Sequence, residues 1–154
     1  MRIKRRSFLR GAAFGGALAG LQYYQGRSAQ RGRAPDLRVG ALDGAMEVVD
    51  LSQGVHVVHF WATWCGVCEA MASNLDGVDG VIRVASESGT LADVRGWLDL
   101  NAPERSTYVD LRRESRTWGV EAFPTTFVVS SGRIFDAAVG YTTTLGLELR
   151  RTLA

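Results

Sequence analysis

Acidic residues are absent from the first 34 positions of this 154-residue chain, and cysteine, histidine and proline are scarce throughout, at two, two and three copies. Two cysteines cannot build the several-bridge framework of a small disulfide-rich domain; they allow one bond at most. No run of about 20 strongly apolar residues occurs, the length that spans a bilayer comfortably. The uncharged stretch of the leader, Gly11 to Gly26, is broken by five glycines and two glutamines. No internal repeat or low-complexity tract follows it. The length suits one domain with one core and leaves no room for two ordinary ones.

The missing acids explain the charge. All of the excess positive charge sits in the first 34 residues, at Arg2, Lys4, Arg5, Arg6, Arg10, Arg27, Arg31 and Arg33, and the rest carries 10 basic against 16 acidic residues, a net −6. The sequence pI near 8.8 therefore describes a leader and not a nucleic-acid-binding face. A basic segment, an uncharged segment and a second basic patch form export-signal architecture. Within it, Arg5-Arg6-Ser7-Phe8-Leu9-Arg10 resembles a twin-arginine signal, with Lys4 where Ser or Thr is usual. No clean small-x-small cleavage site lies near Gln25 to Arg31. Residues 1–34 thus read as an export signal or a retained weak anchor plus linker, and 35–154 as the folded domain.

Within that domain, Asp43-Gly44 between Leu37 to Leu42 and Ala45 to Leu51 predicts a two-residue β-hairpin. Val55 to Trp61 is a continuous β-branched and aromatic run, as in a strand buried on both faces. A helix from about Cys65 to Leu75 and a strand over Val81 to Ala85 complete a right-handed βαβ unit. Thr90 and Asp93 form a capping-box start for a second helix, whose apolar positions are Leu91, Val94 and Leu98. Thr107 to Val109 reads as a short edge strand and Arg112 to Trp118 as a short helix. Thr125 to Ser130 and Arg133 to Val139 form an antiparallel pair turned by Ser131-Gly132. Leu145, Leu149 and Leu153 lie four apart on a closing helix.

The chemistry concentrates in Trp61-Ala62-Thr63-Trp64-Cys65-Gly66-Val67-Cys68, at a strand-to-helix junction. A disulfide closing so short a loop removes little chain entropy, so it is a poor staple and suits a bond that opens and closes. A cysteine at a helix N-terminus faces unpaired amides and the positive end of the helix dipole, which favour the thiolate over its ordinary pKa of about 8.5. Cys68 stands one turn on and can attack a mixed disulfide formed at Cys65. Cys65 is then nucleophile and Cys68 resolver. Zinc shared with His56 and His59 is disfavoured, because strand residues three apart point to opposite faces. Copper(I) held by the two thiolates alone is the alternative, a metal-binding module instead of an enzyme. Trp64 fits the surface and Trp61, Trp97 and Trp118 the core. Glu69 is a candidate proton relay or simply an acid in a helix's first turn. Pro124 precedes a buried strand, where it cannot donate to the ladder; a cis bond at the strand end is one solution.

At these motifs, together with Gly119-Val120 ahead of Pro124-Thr125-Thr126-Phe127, the chain from Leu37 to Ala154 resembles the thioredoxin superfamily in its TlpA-type branch. Glu87-Ser88-Gly89 and Gly140 to Leu147 resemble the narrower suppressor-of-copper-sensitivity (ScsD) disulfide oxidoreductases. The resemblance implies a three-layer α/β/α sandwich with a mixed sheet and an N-terminal hairpin. It implies exchange of disulfides with protein substrates, in the reductive direction, without organic cofactor, metal or nucleic acid. The substrate would bind along a short edge beside a cis Phe123-Pro124 bond, with Trp64, Gly66 and Val67 completing the surface. It places His59, at a strand position often acidic in thioredoxins, beneath the cysteine pair, as a proton relay near its ordinary pKa of about 6.5 or a buried filler. A membrane electron-transfer protein would return the pair to its reduced form. The location would be periplasmic or otherwise extracytoplasmic, free or held to the inner membrane. Three departures stand out: Phe123 where relatives carry a smaller residue, Ala122 in place of a common Gly, and Thr125 in place of the acid of cytochrome-maturation relatives.

Overall fold

The computed structural model describes residues 32–154. The leader, its twin-arginine-like motif and the choice between signal and anchor lie outside the described residues. Among the described residues no helix is long and apolar enough to cross a membrane.

The elements follow the expected order. They are β1 (Gly32–Arg33), β2 (Leu37–Gly40), β3 (Met46–Val49), β4 (Val55–Trp61), α1 (Gly66–Asp76), β5 (Val81–Ala85), α2 (Leu91–Asn101), β6 (Tyr108–Val109), α3 (Glu114–Thr117), β7 (Thr125–Ser130), β8 (Arg133–Val139) and α4 (Thr144–Thr152). One eight-stranded sheet runs β1-β8-β7-β4-β5-β6-β2-β3. β4, β5 and β6 are parallel to one another and the other pairings are antiparallel, so the sheet is mixed. This is the thioredoxin-like α/β fold with an N-terminal hairpin extension.

Alternation along β4 sorts the core into two layers. Val57, His59 and Trp61 face α1, α2 and α4: Val57 meets Met71, Leu75 and Leu147, while Trp61 meets Val94, Leu98 and both cysteines. Val58 and Phe60 face the other way, into a cluster with Leu37, Val39, Trp118 and Phe127. Trp118 packs there with ring centroids 5.1 Å from Phe127 and 5.6 Å from Phe60. The helix on this side is only the four-residue α3.

Two expectations need correction. The Asp43-Gly44 hairpin closes through a three-residue loop: Ala41 and Ala45 pair, Gly44 donates back to Ala41, and Gly44 takes φ +97°. Both strands are accordingly shorter than the hydrophobic run, because a type I turn with a left-handed third residue uses one more position. β6 is not an edge, since Gly40 of β2 pairs with Val109 and the hairpin continues the sheet beyond it. On α4 the buried residue is Leu147, whereas Leu145, Leu149 and Leu153 stand on the outer side.

Candidate active site

β4 ends at Trp61 and the chain turns through Ala62 to Trp64 into α1, with Cys65 N–H donating to the Ala62 carbonyl at 3.1 Å. Cys65 is the helix cap, in extended conformation, and its Sγ accepts the Cys68 N–H at 3.1 Å. That is where a sulfur anion gains most from the unpaired amides and dipole of a helix start. Cys65 and Cys68 are bonded to each other, with Cα atoms 5.2 Å apart. Cys65 is 9% exposed and Cys68 4%, so an incoming sulfur meets Cys65 first.

The Phe123–Pro124 bond is cis. Pro124 is buried ahead of β7, and its carbonyl accepts from Gly140 N–H at 2.8 Å. Phe123 is half-buried and touches both core layers. Its ring meets Trp64 edge to face at 5.7 Å. Trp64 is 64% exposed, while Gly66 and Val67 also face outward, so the rim around Cys65 is apolar and open. Trp61 is the core tryptophan: its indole N–H donates to Thr107 at 3.0 Å and its ring tilts against Trp97 at 5.2 Å.

His59 is buried on the face covered by α1, between Val57 and Trp61 on its own strand. Its cross-strand neighbours are Thr126, whose hydroxyl lies 2.9 Å from Nδ1, and Arg83. Burial, and then the positive charges of Arg83 and Arg105, push its pKa down to about 3. The imidazole is therefore neutral at physiological pH. Arg83 is itself pulled below its ordinary value by burial, while Asp76 at the end of α1 holds its guanidinium at 2.7 Å. Glu69 is exposed in the first turn of α1. His56 bonds the Gln53 carbonyl at 2.7 Å and lies on the opposite face from His59. Among the described residues no group of three or more His, Cys, Asp or Glu converges as a metal site would require.

Sequence reasoning missed the partners that hold the site. The Trp64 indole N–H donates to the Glu87 carbonyl at 2.8 Å, and Thr63 N–H donates to the Ser88 hydroxyl at 3.0 Å. A backbone carbonyl has no signature in sequence. The positive φ of Glu87 and Gly89 shows only in the fold.

Known proteins match this arrangement. The family described as Thioredoxin matches residues 45–85. A thiol:disulfide interchange protein DsbE homolog from Paracoccus denitrificans is 34% identical over 146 residues, covering 82% of this chain and 79% of that protein. The thiol:disulfide interchange protein HelX of Rhodobacter capsulatus is 32% identical over 116 residues, 70% of this chain and 66% of its own. A thioredoxin-like protein of Haemophilus influenzae is 31% identical over 99 residues; this chain spans 59% of its length. The exposed lipoprotein thioredoxin of Streptococcus pneumoniae shares the fold, with a TM-score of 0.69 over 78% of this chain and 100% of that one, at 20% identity.

Proposed function

The chain belongs to the thioredoxin superfamily, among its thiol:disulfide interchange proteins, and from that premise we propose that it reduces disulfides in protein substrates outside the cytoplasm. It is a thiol:disulfide oxidoreductase; the direction, the residue roles and the setting are the proposal. The observation that carries it is the Cys65–Cys68 bond at the start of α1, beside a cis Pro124 and an open aromatic rim.

In the reduced protein the Cys65 thiolate attacks one sulfur of the substrate disulfide. A Cys65-to-substrate bond forms, and the other substrate sulfur leaves as a thiolate that takes up a proton. Cys68, having lost its proton, then attacks Cys65 Sγ and expels the second substrate sulfur. Two electrons have passed to the substrate, and the pair is oxidised as it stands here. A dithiol donor on the membrane side reverses the bond for the next turn. Trp64, Gly66, Val67, Phe123 and Pro124 receive the substrate. His59, neutral and buried, serves as packing beneath the pair, and Glu69 as an acid favourable to the helix start. The Glu87-Ser88-Gly89 and Gly140 to Leu147 segments support a place near the suppressor-of-copper-sensitivity subgroup, and the twin-arginine-like leader supports an extracytoplasmic setting.

Redox titration against glutathione tests the direction. A potential near that of thioredoxin, about −270 mV, is expected, and one near −120 mV would make the protein an oxidant. Cys68→Ser should lose insulin reduction while accumulating a mixed disulfide at Cys65. A variant that turns over as the parent does would remove Cys68 from its role.

A further inference from the structure

The connection from β5 to α2 touches both halves of the active site, and none of the roles assigned above uses it. Because β5 runs parallel to β4, with Ala85 beside Trp61, residues 86–89 are delivered alongside the turn that carries Trp64 and Cys65. Three bonds tie them to it. Ser86 N–H donates to the Trp61 carbonyl at 2.8 Å. The buried Ser88 hydroxyl accepts Thr63 N–H and donates to the Ser86 carbonyl, each at 3.0 Å. The Glu87 carbonyl accepts the Trp64 indole N–H at 2.8 Å.

The same residues reach the other half. The Ser86 hydroxyl donates to Asp110 at 2.9 Å, and the Asp110 carboxylate accepts Glu114 N–H at 2.6 Å and Ser115 N–H at 3.0 Å at the start of α3. Val120 N–H then donates to the Ser115 carbonyl at 2.8 Å, three residues before Phe123. Glu87 itself sits at φ +50°, a conformation unfavourable for any residue with a Cβ, which persists where surrounding bonds dictate it.

We infer that Ser86 to Gly89 is a positioning segment that fixes the Trp64 indole edge-on to Phe123, with Ser88 as its positioning residue. A tryptophan this exposed would otherwise sample several rotamers, and a substrate would have to order it on docking. Held in advance by the one polar atom of its ring, it forms with Phe123 a standing aromatic wall beside Cys65. Such a wall favours a disulfide in an extended segment whose cysteine is flanked by an apolar or aromatic side chain. The inference rests on the oxidoreductase reading and names the substrate class of that same site.

The test uses the full chain and three disulfides: a peptide with Phe beside the bridged cysteine, the same peptide with Asp there, and hydroxyethyl disulfide. Ser88→Ala removes the hydroxyl bridge, and Trp64→Phe keeps a ring without the N–H donor. For the Phe peptide, KM should rise about 3- to 10-fold in both variants, the worth of one hydrogen bond, with kcat changing less than twofold. In protein labelled with 5-fluorotryptophan, the Trp64 resonance, assigned by its loss in Trp64→Phe, should shift or broaden in Ser88→Ala. An unmoved KM and an unmoved Trp64 resonance in Ser88→Ala, in a parent that turns over all three disulfides, would overturn the positioning role alone. An equal loss on hydroxyethyl disulfide and on the Phe peptide would also overturn it, by showing a general effect on the fold. A parent inert toward every disulfide would instead overturn the oxidoreductase reading.

Discussion

His59 carries a charge question that burial settles first and its cationic neighbours second. The group is surrounded by Thr126 and Arg83 across the sheet, with Arg105 near, and no carboxylate contributes to the shift that lowers its pKa from 6.5 to about 3. Between those two values the unfolded chain holds a proton on this imidazole and the folded chain does not. Stability is therefore complete above pH 6.5 and falls as pH drops toward 3, by up to about 1.4 kcal/mol per pH unit from this one group. Urea midpoints measured from pH 7 to pH 4 should fall more steeply for the parent than for His59→Leu. Parallel curves would mean that the imidazole takes up a proton in the folded protein as readily as in the unfolded one. The sequence pointed to this residue by its place six positions before Cys65. It could not show its titration, because desolvation comes from chain segments far away in sequence.

Elements show where local pattern suffices. β4, β5, β7 and β8 match their expected bounds because β-branched runs between turn residues specify a strand locally. α2 begins at Thr90 as expected, with Thr90 and Asp93 bonding each other's backbone N–H groups in a capping box. α4 is different. Its leucines at four-residue spacing suggest a core stripe, yet Leu147 is fully buried while Leu145 and Leu149 are 79% and 58% exposed. Spacing alone cannot tell which side of a short helix faces the sheet. Arg150 to Asp136 of β8 and Thr144 to the Asn74 carbonyl of α1 fix that side. Leu147→Ala should cost about 2 to 5 kcal/mol of unfolding free energy, whereas Leu149→Ala should fall within about 0.5 kcal/mol of the parent. Thermal or urea denaturation of the two variants decides it, and equal losses would put both leucines in contact with the core.

At the scale of the whole molecule, the fold and the cysteine site were readable because one motif joins them: a buried strand running into a helix that opens on Cys65. Strand order at the far side was not readable, since the place of β6 depends on the hairpin returning past it to pair Gly40 with Val109. The loop at Ser86 to Gly89 was equally hidden, because its partners are backbone groups. The sheet is also clothed unequally, with three helices over the face that holds His59 and the single turn of α3 over the face that holds Trp118. Free energies of local opening follow such differences in cover. Amides of β2, β3 and α3 should exchange with solvent deuterium well before those of β4, β7 and α1, as native-state exchange would record; uniform protection would refute this. The disulfide lies under the thick side. The thin flank can thus breathe, or be nicked by a protease, while the sulfur pair itself keeps its footing.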